Sequence, residues 1–134
     1  MAHLMNPRRV LALALALAAA VAGAFLFARD PSANAASSGK TVKLSADPKG
    51  KLKFSSTRLT TTHGKVTLLM ANPSSSGKPH AIAVEGNGVD KDGKVATPGK
   101  TSTVTATLKK GTYQFYCPVP GHKAAGMKGT LVVR

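Results

Sequence analysis

The chain has 134 residues, enough for a single small domain of roughly 100 residues once an N-terminal segment is set aside. Lysine and arginine number 19 against five aspartates and glutamates, and the net charge of +14 would attract an acidic protein, an anionic membrane or nucleic acid. The only cysteine, Cys117, excludes an internal disulfide framework and must be a core thiol, a reactive thiol, a metal ligand or an intermolecular partner.

The N-terminal segment predicts export. Arg8 and Arg9 precede 19 uncharged, mainly apolar residues, 10–28. Residues 33–35 read Ala-Asn-Ala, a signal-peptidase pattern that favours cleavage after them. The alternative is a retained membrane anchor, because an apolar helix of this length, at about 1.5 Å per residue, nearly spans a ~30 Å hydrocarbon core. Residues 1–35 are therefore predicted to be a signal peptide or an N-terminal anchor helix. In both cases the rest is exported: periplasmic, extracellular or held at the outer face of the cytoplasmic membrane.

A short polar linker, residues 36–39, is predicted to lead into one domain that spans residues 40–134. Short β-branched runs in this region are separated by Gly, Pro, Asn and Asp, which is typical of an all-β domain. The predicted strands lie near residues 41–45, 51–54, 57–62, 80–85, 111–117 and 129–133 and within KVTLLMAN (65–72) and TSTVTATLKK (101–110). Seven or eight strands at this spacing predict a β-sandwich.

Alternation within two of these strands assigns their faces. The predicted buried rows are Val66, Leu68 and Met70 in the first and Val104, Ala106 and Leu108 in the second, opposite Thr101, Thr103, Thr105 and Thr107. One buried and one solvated face per strand is typical of an antiparallel sandwich.

Two polar residues take core-facing positions at strand ends. In GKPHAIAVEGNG, His80 follows a proline and shares its face with Ile82 and Val84. In GTYQFYCPVPGH, the same alternation puts Cys117 on the face of Phe115. We expect His80 and Cys117 to meet at one end of the sandwich.

The loop YCPVPGHKAAGM, residues 116–127, adds His122 and Met127 to this pair. Two histidines and one cysteine in a trigonal plane, with a weak axial methionine, form the ligand set of electron-transfer copper. Zinc prefers further cysteine, histidine or carboxylate ligands, whereas calcium and magnesium need oxygen ligands. The pattern predicts a copper site made by His80, Cys117, His122 and Met127.

The segments FYCPVPGHKAAGMKGTLVV and PHAIAVEG resemble the cupredoxins, the small type 1 blue-copper proteins. The C-x4-H-x4-M loop is similar to that of rusticyanin and sulfocyanin, and plastocyanin has a shorter Cys-to-His interval. The resemblance covers about residues 40–134 and implies a Greek-key β-sandwich. It also implies His80, Cys117 and His122 as equatorial ligands and Met127 as the axial ligand of one copper ion, which shuttles single electrons between Cu(I) and Cu(II).

One position departs from the family's pattern. Cupredoxins commonly carry Asn or Ser directly after the first histidine, and that side chain ties the two ligand segments together. Ala81 occupies the position here. A side-chain hydrogen bond is therefore expected to be missing, which affects the rigidity and potential of the site but not its ligands.

The resemblance also implies how a redox partner docks. In the family, the second histidine reaches the surface through an apolar patch, for which the candidates here are Pro118, Val119, Pro120, Ala124 and Ala125. Lys123 and Lys128 would steer an acidic surface of a redox protein towards His122. The chain itself is expected to be a monomer.

Other functions fit the sequence less well. A cysteine nucleophile would pair Cys117 with His122, but no orienting Asn or Asp is evident and Pro118 lacks an N–H for an oxyanion site. A nucleic-acid binder is not expected either, because only six aromatic residues are present. An exported copper carrier or storage protein, which would use the same ligands, stays the alternative to an electron carrier. No enzyme activity is predicted. His63, Glu85, Asp90 and Asp92 are expected at surface turns and strand ends, outside the site.

Overall fold

The computed structural model describes residues 39–134, which form an all-β sandwich, as predicted. Its eight strands are β1 Lys40–Ser45, β2 Arg58–Thr61, β3 Gly64–Ala71, β4 Ala83–Gly86, β5 Val89–Asp92, β6 Thr101–Leu108, β7 Gly111–Tyr116 and β8 Lys128–Val133, with one 3-10 turn at Ser74–Ser76. The predicted export segment, with its cleavage site and possible anchor helix, lies outside the described residues. Within residues 39–134, no helix has the length and apolar character needed to cross a bilayer.

The strands form two sheets, one of three strands in the order β1-β3-β6 and one of five in the order β2-β8-β7-β4-β5. The β1–β3 and β2–β8 pairs are parallel and the other pairs are antiparallel. The chain changes sheet after β1, β2, β3, β5 and β6, as in a Greek-key sandwich. These crossings bring the start of the β4 segment and the end of β7 to the same end of the domain.

The core lies between the sheets and is built from the alternating rows that the sequence predicts. Both predicted rows, on β3 and β6, are at most 5% exposed, and the threonines opposite them on β6 are exposed. Phe115 and Leu131 of the larger sheet are fully buried in the same core. Each such side chain contributes about 1.5–3 kcal/mol when it leaves water.

Three predicted elements differ from the structure. Residues 51–54 are not a strand, because a turn at Gly50 (φ 73°) separates them from β1 and only Phe54 pairs, in an isolated bridge with Ala46. The strand predicted from residue 80 begins at Ala83 instead. Asp90, expected at a turn or strand end, lies within β5, whereas Asp92 ends that strand as expected.

The missed hairpin β4–β5 has a clear local cause. Asn87 and Gly88 connect its two strands, and both have positive φ angles, 48° and 80°. An Asn-Gly pair is the strongest short signal for a two-residue hairpin turn. Because β5 is an edge strand, most of its side chains are exposed and polar. The sequence Val89–Asp92 therefore lacks the apolar alternation by which a strand is predicted.

The end of the domain opposite the predicted metal ligands is closed by a tyrosine. The Tyr113 hydroxyl accepts a hydrogen bond from the Lys109 N–H (3.1 Å) and donates one to the Lys109 carbonyl oxygen (3.0 Å). Tyr113 is 3% exposed, so its ring is also part of the core. The hydroxyl thereby fixes the turn between β6 and β7.

Candidate metal centre

The loop from Cys117 to Met127 connects β7 with β8 and is closed by its own backbone. The Cys117 N–H donates to the Met127 carbonyl, the Met127 N–H to the His122 carbonyl and the His122 N–H to the Val119 carbonyl, each at 3.0 Å. Cys117 and Met127 are fully buried, whereas His122 is half-buried. The three candidate ligands of this loop are therefore held on one hydrogen-bonded frame.

His80 reaches the same end of the sandwich from the segment before β4. Its side chain is fully buried. Its backbone pairs with Ala96 through two hydrogen bonds: the His80 N–H donates to the Ala96 carbonyl (3.0 Å), and the Ala96 N–H donates to the His80 carbonyl (2.8 Å). The core-facing position predicted for His80 is confirmed.

The structure brings three of the predicted ligands together. The Cys117 Sγ atom lies 4.0 Å from Nδ1 of His80 and 3.5 Å from Nδ1 of His122, and the two imidazole centroids are 5.1 Å apart. Nitrogen and sulfur ligands at about 2.0 and 2.3 Å from one metal ion, in trigonal or tetrahedral geometry, are about 3.5–3.7 Å apart. The observed distances fit a shared metal ion with little rearrangement. Met127, the predicted fourth ligand, is fully buried at the end of the same loop.

The protonation of these groups also suits a metal ion. Burial lowers the pKa of His80, with smaller contributions from His122 and Lys78, and burial together with Lys78 lowers the pKa of His122. Both rings are thus neutral near pH 7 and have a free lone pair. Burial raises the pKa of the Cys117 thiol, against backbone hydrogen bonds from Ala81 and Val119 that lower it. A metal ion that binds the thiolate must therefore displace a proton.

Ala81 contributes to the site through its backbone. Its N–H donates to Cys117 Sγ at 3.4 Å, which connects the His80 segment to the ligand loop. A side-chain tie cannot form at this position, as expected, because alanine has no polar side-chain atom. Residue 81 therefore helps to hold the His80 segment in place through its backbone alone.

Only one candidate ligand approaches the surface. His122 is half-buried, and Pro120, Ala124 and Ala125 around it are exposed. Pro118 and Val119 of the predicted apolar patch are half-buried. These residues share the loop with His122, and their role as a docking patch stays a prediction.

Lys123 is not a free charge next to His122. Its Nζ atom lies 2.6 Å from Oε1 of Glu85 and 3.9 Å from the centroid of the Tyr116 ring. The Tyr116 hydroxyl in turn approaches Oδ1 of Asp92 at 3.4 Å. Burial, with the nearby carboxylates of Asp92, Glu85 and Asp90, raises the pKa of Tyr116 to about 12. The charge of Lys123, which was predicted to steer a partner, is thus largely neutralised by Glu85. The sequence could not indicate this pairing, because the two residues are 38 positions apart.

His63 lies away from the site, as predicted. It is exposed, and its Nδ1 atom is 3.1 Å from the carbonyl oxygen of Arg134. Two residues near the site, Lys78 and Asn72, were not predicted from the sequence to influence it. Lys78 is exposed and its charge acts on both His80 and His122. Asn72 is a buried polar residue, and the sequence hint was only an Asn-Pro pair after a strand.

Comparison with known proteins identifies the family. Residues 40–134 match the family of copper-binding proteins that includes plastocyanin and azurin. The chain belongs to this family. The predicted resemblance to cupredoxins is confirmed, and copper is the cofactor that the Cys117 site fits. A comparison with curated proteins found no match.

Solved structures agree with this assignment. Auracyanin B is 27% identical with a TM-score of 0.62, over 71% of this chain and 88% of that protein. An auracyanin from Roseiflexus castenholzii is 24% identical with a TM-score of 0.62, over 72% of this chain and 98% of that protein, and supports the fold. A copper nitrite reductase from Nitrosomonas europaea is 25% identical with a TM-score of 0.55, over 70% of this chain but 41% of that protein.

Proposed function

We propose that this cupredoxin is a one-electron carrier between redox proteins outside the cytoplasm, with His80, Cys117 and His122 as equatorial copper ligands and Met127 as the weak axial ligand. Copper, when bound, supplies one-electron chemistry between Cu(I) and Cu(II). The observation that carries the proposal is a contrast in burial: three of these residues are fully buried and His122 alone is half-buried beside exposed apolar residues.

The same contrast favours electron transfer over copper delivery. A delivery protein must let a partner reach its ligands, but the side chains of His80, Cys117 and Met127 are 0% exposed. An electron needs no such access, because the imidazole of His122 connects the buried thiolate to the surface. We propose no catalytic role: the likeness to nitrite reductase covers only 41% of that enzyme.

Adding Cu(II) to the purified metal-free protein tests the function. An electron carrier should develop intense visible absorption from the thiolate–copper pair, cycle reversibly by one electron in voltammetry, and lose copper slowly to a Cu(I) chelator such as bicinchoninate. A delivery protein would instead give up Cu(I) quickly. Rapid loss, or cycling that is not reversible, would contradict the proposal.

We also propose that residues 1–35 direct export and that residues 40–134 are the functional unit. The basic pair before the apolar stretch and the Ala-Asn-Ala sequence support export. The intact mass of the protein from its native cells should correspond to a chain that begins at residue 36 or to one that retains residues 10–28. Recovery of the protein in the cytoplasmic fraction would contradict export.

For docking, we propose an acidic partner surface that contacts the patch around His122. Lys78 is the cation that supports this choice, because it is exposed and its charge acts on both candidate histidine ligands. Lys123 contributes less, since Glu85 neutralises it. Weak redox encounters use small interfaces, and charge raises their association rate.

Ferricyanide, an anionic oxidant, can report this steering without a known partner. Oxidation of the reduced copper protein should slow as salt is added, and Lys78→Gln should lower the rate constant about two- to threefold at low ionic strength. Lys65→Gln is the matched control: it removes the same charge from the start of β3, at the opposite end of the sandwich. Stopped-flow absorption measures both. Equal effects of the two variants would show that only net charge matters and would refute a steering role for Lys78.

A further inference from the structure

A buried asparagine connects the segments that surround His80. Asn72 follows β3 and is 2% exposed. Its side-chain Nδ2 donates to the carbonyl oxygens of Lys78 (2.8 Å) and Ala96 (2.9 Å), and its Oδ1 accepts from the Ser76 hydroxyl (2.6 Å). Both amide hydrogens and the amide oxygen have partners, so a substitution would leave several of these groups unsatisfied.

The two carbonyls bound by Asn72 belong to the backbone that places His80. Ala96 forms the isolated two-bond pair with His80, and its carbonyl oxygen accepts from both the His80 N–H and the Asn72 amide. Lys78 lies two residues before His80, on the chain that leads into the site. Asn72 therefore holds both the backbone partner of His80 and the approach to it.

His80 is restrained on its C-terminal side, where the Ala81 N–H donates to Cys117 Sγ, but less so on its N-terminal side. It lies outside β4, and Pro79 before it has no N–H to donate. Metal-binding histidines usually fix their ring by donating the second N–H to an acceptor. The Nε2 atom of His80 is buried, and within residues 39–134 no atom forms a hydrogen bond with it. The direction of the ring consequently depends on packing and on where the backbone lies.

We propose that Asn72 is a positioning residue for the copper site: its amide fixes the backbone pair His80–Ala96 and thereby the distance from Nδ1 of His80 to Cys117 Sγ. The role rests on the proposed function insofar as His80 is a copper ligand. Asn72 supplies a restraint on the His80 segment, in which Ala81 provides no side-chain tie. The first measurement below uses the metal-free protein and does not depend on copper.

Amide hydrogen exchange in the metal-free full-length protein tests the restraint. In Asn72→Ala, the N–H groups of His80 and Ala96 should exchange about tenfold faster than expected from the loss of global stability alone. Tyr113→Phe is the matched control, because it removes hydrogen bonds of a buried polar side chain at the opposite end of the sandwich. Should Asn72→Ala not fold, Ser76→Ala, which removes the bond to Asn72 Oδ1 and two longer bonds to the Lys78 backbone, should give about a twofold effect on the same amides.

The copper-loaded variants test the consequence for the ligand. Asn72→Ala should change the copper hyperfine splitting in electron paramagnetic resonance and shift the reduction potential, and Tyr113→Phe should change neither. Unchanged exchange at His80 and Ala96 would overturn the proposal, as would faster exchange with an unaltered copper spectrum and potential. A wild-type protein that binds copper without a type 1 spectrum would overturn the proposed function instead, whatever the exchange result.

Discussion

Replacing Cys117 with serine should abolish the intense visible absorption of the copper-loaded protein while the sandwich stays folded. The thiolate is the soft, electron-rich ligand whose charge transfer to Cu(II) gives the colour, and a hydroxyl cannot replace it. In the structure, Cys117 Sγ lies within 4.0 Å of the Nδ1 atoms of His80 and His122. Visible absorption and electron paramagnetic resonance of the Cu(II) protein measure the loss, and far-ultraviolet circular dichroism checks the fold.

His63→Ala provides the control for this experiment. His63 is an exposed histidine that lies outside the site, so its removal should leave the colour and the copper stoichiometry of one ion per chain unchanged. Colour that survives in Cys117→Ser would refute the ligand assignment as a whole. Loss of colour in both variants would mean that His63 also supports the copper site, against its position beside Arg134.

The candidate ligands were predictable because their signals are local. Period-two alternation decides the face of a strand residue, so it placed His80 and Cys117 on the core side, and both are fully buried. The C-x4-H-x4-M spacing put His122 and Met127 on one loop. Each of these inferences needs only a dozen neighbouring residues.

The supports of the site were not predictable, because they join residues that are far apart in the chain. Asn72 contacts the carbonyl of Ala96, 24 positions later, and Lys123 pairs with Glu85, 38 positions earlier. Such contacts follow from which strands become neighbours. Alternation says which side of a strand is buried, but it does not say what lies against that side.

The fold shows the same division. The buried rows of β3 and β6 were predicted correctly, whereas the parallel pairing of β1 with β3 and of β2 with β8 follows only from the way the chain crosses between the sheets. The alternation in residues 51–54 reflected burial and not strand pairing: Phe54 is in the core although the segment has only one bridge. Alternation therefore predicts burial more reliably than it predicts a strand.

Gly129→Ala should destabilise the metal-free protein by about 3 kcal/mol, the upper part of the usual range for an overpacked core. Gly129 lies in β8 directly opposite Phe115 of β7. A Cβ atom at this position would overlap the Phe115 ring and come within 2.6 Å of the Thr57 carbonyl oxygen. Urea unfolding, followed by circular dichroism, measures the change.

Neither neighbour of Gly129 can move away easily. The Phe115 ring is fully buried and packs on Phe54, with ring centroids 5.6 Å apart. The Thr57 carbonyl accepts the Thr130 N–H at 2.9 Å, so its withdrawal would break the junction with β8. An aromatic ring that covers a cross-strand glycine is a recognised way to fill the space that glycine leaves. The glycine is therefore required by space, not by its backbone angles.

Two further variants separate space from backbone strain. Gly77 has a positive φ of 65° with nothing within 4 Å of an added Cβ, so Gly77→Ala should cost about 1 kcal/mol from the backbone alone. Combining Gly129→Ala with Phe115→Leu should destabilise the protein less than the sum of the two single changes, because the smaller side chain makes room for the methyl group. Additive effects, or a Gly129→Ala variant as stable as the wild type, would contradict the packing argument. Because Phe115 lies two residues before Cys117 on the same strand face, a displaced ring should also alter the copper spectrum of Gly129→Ala.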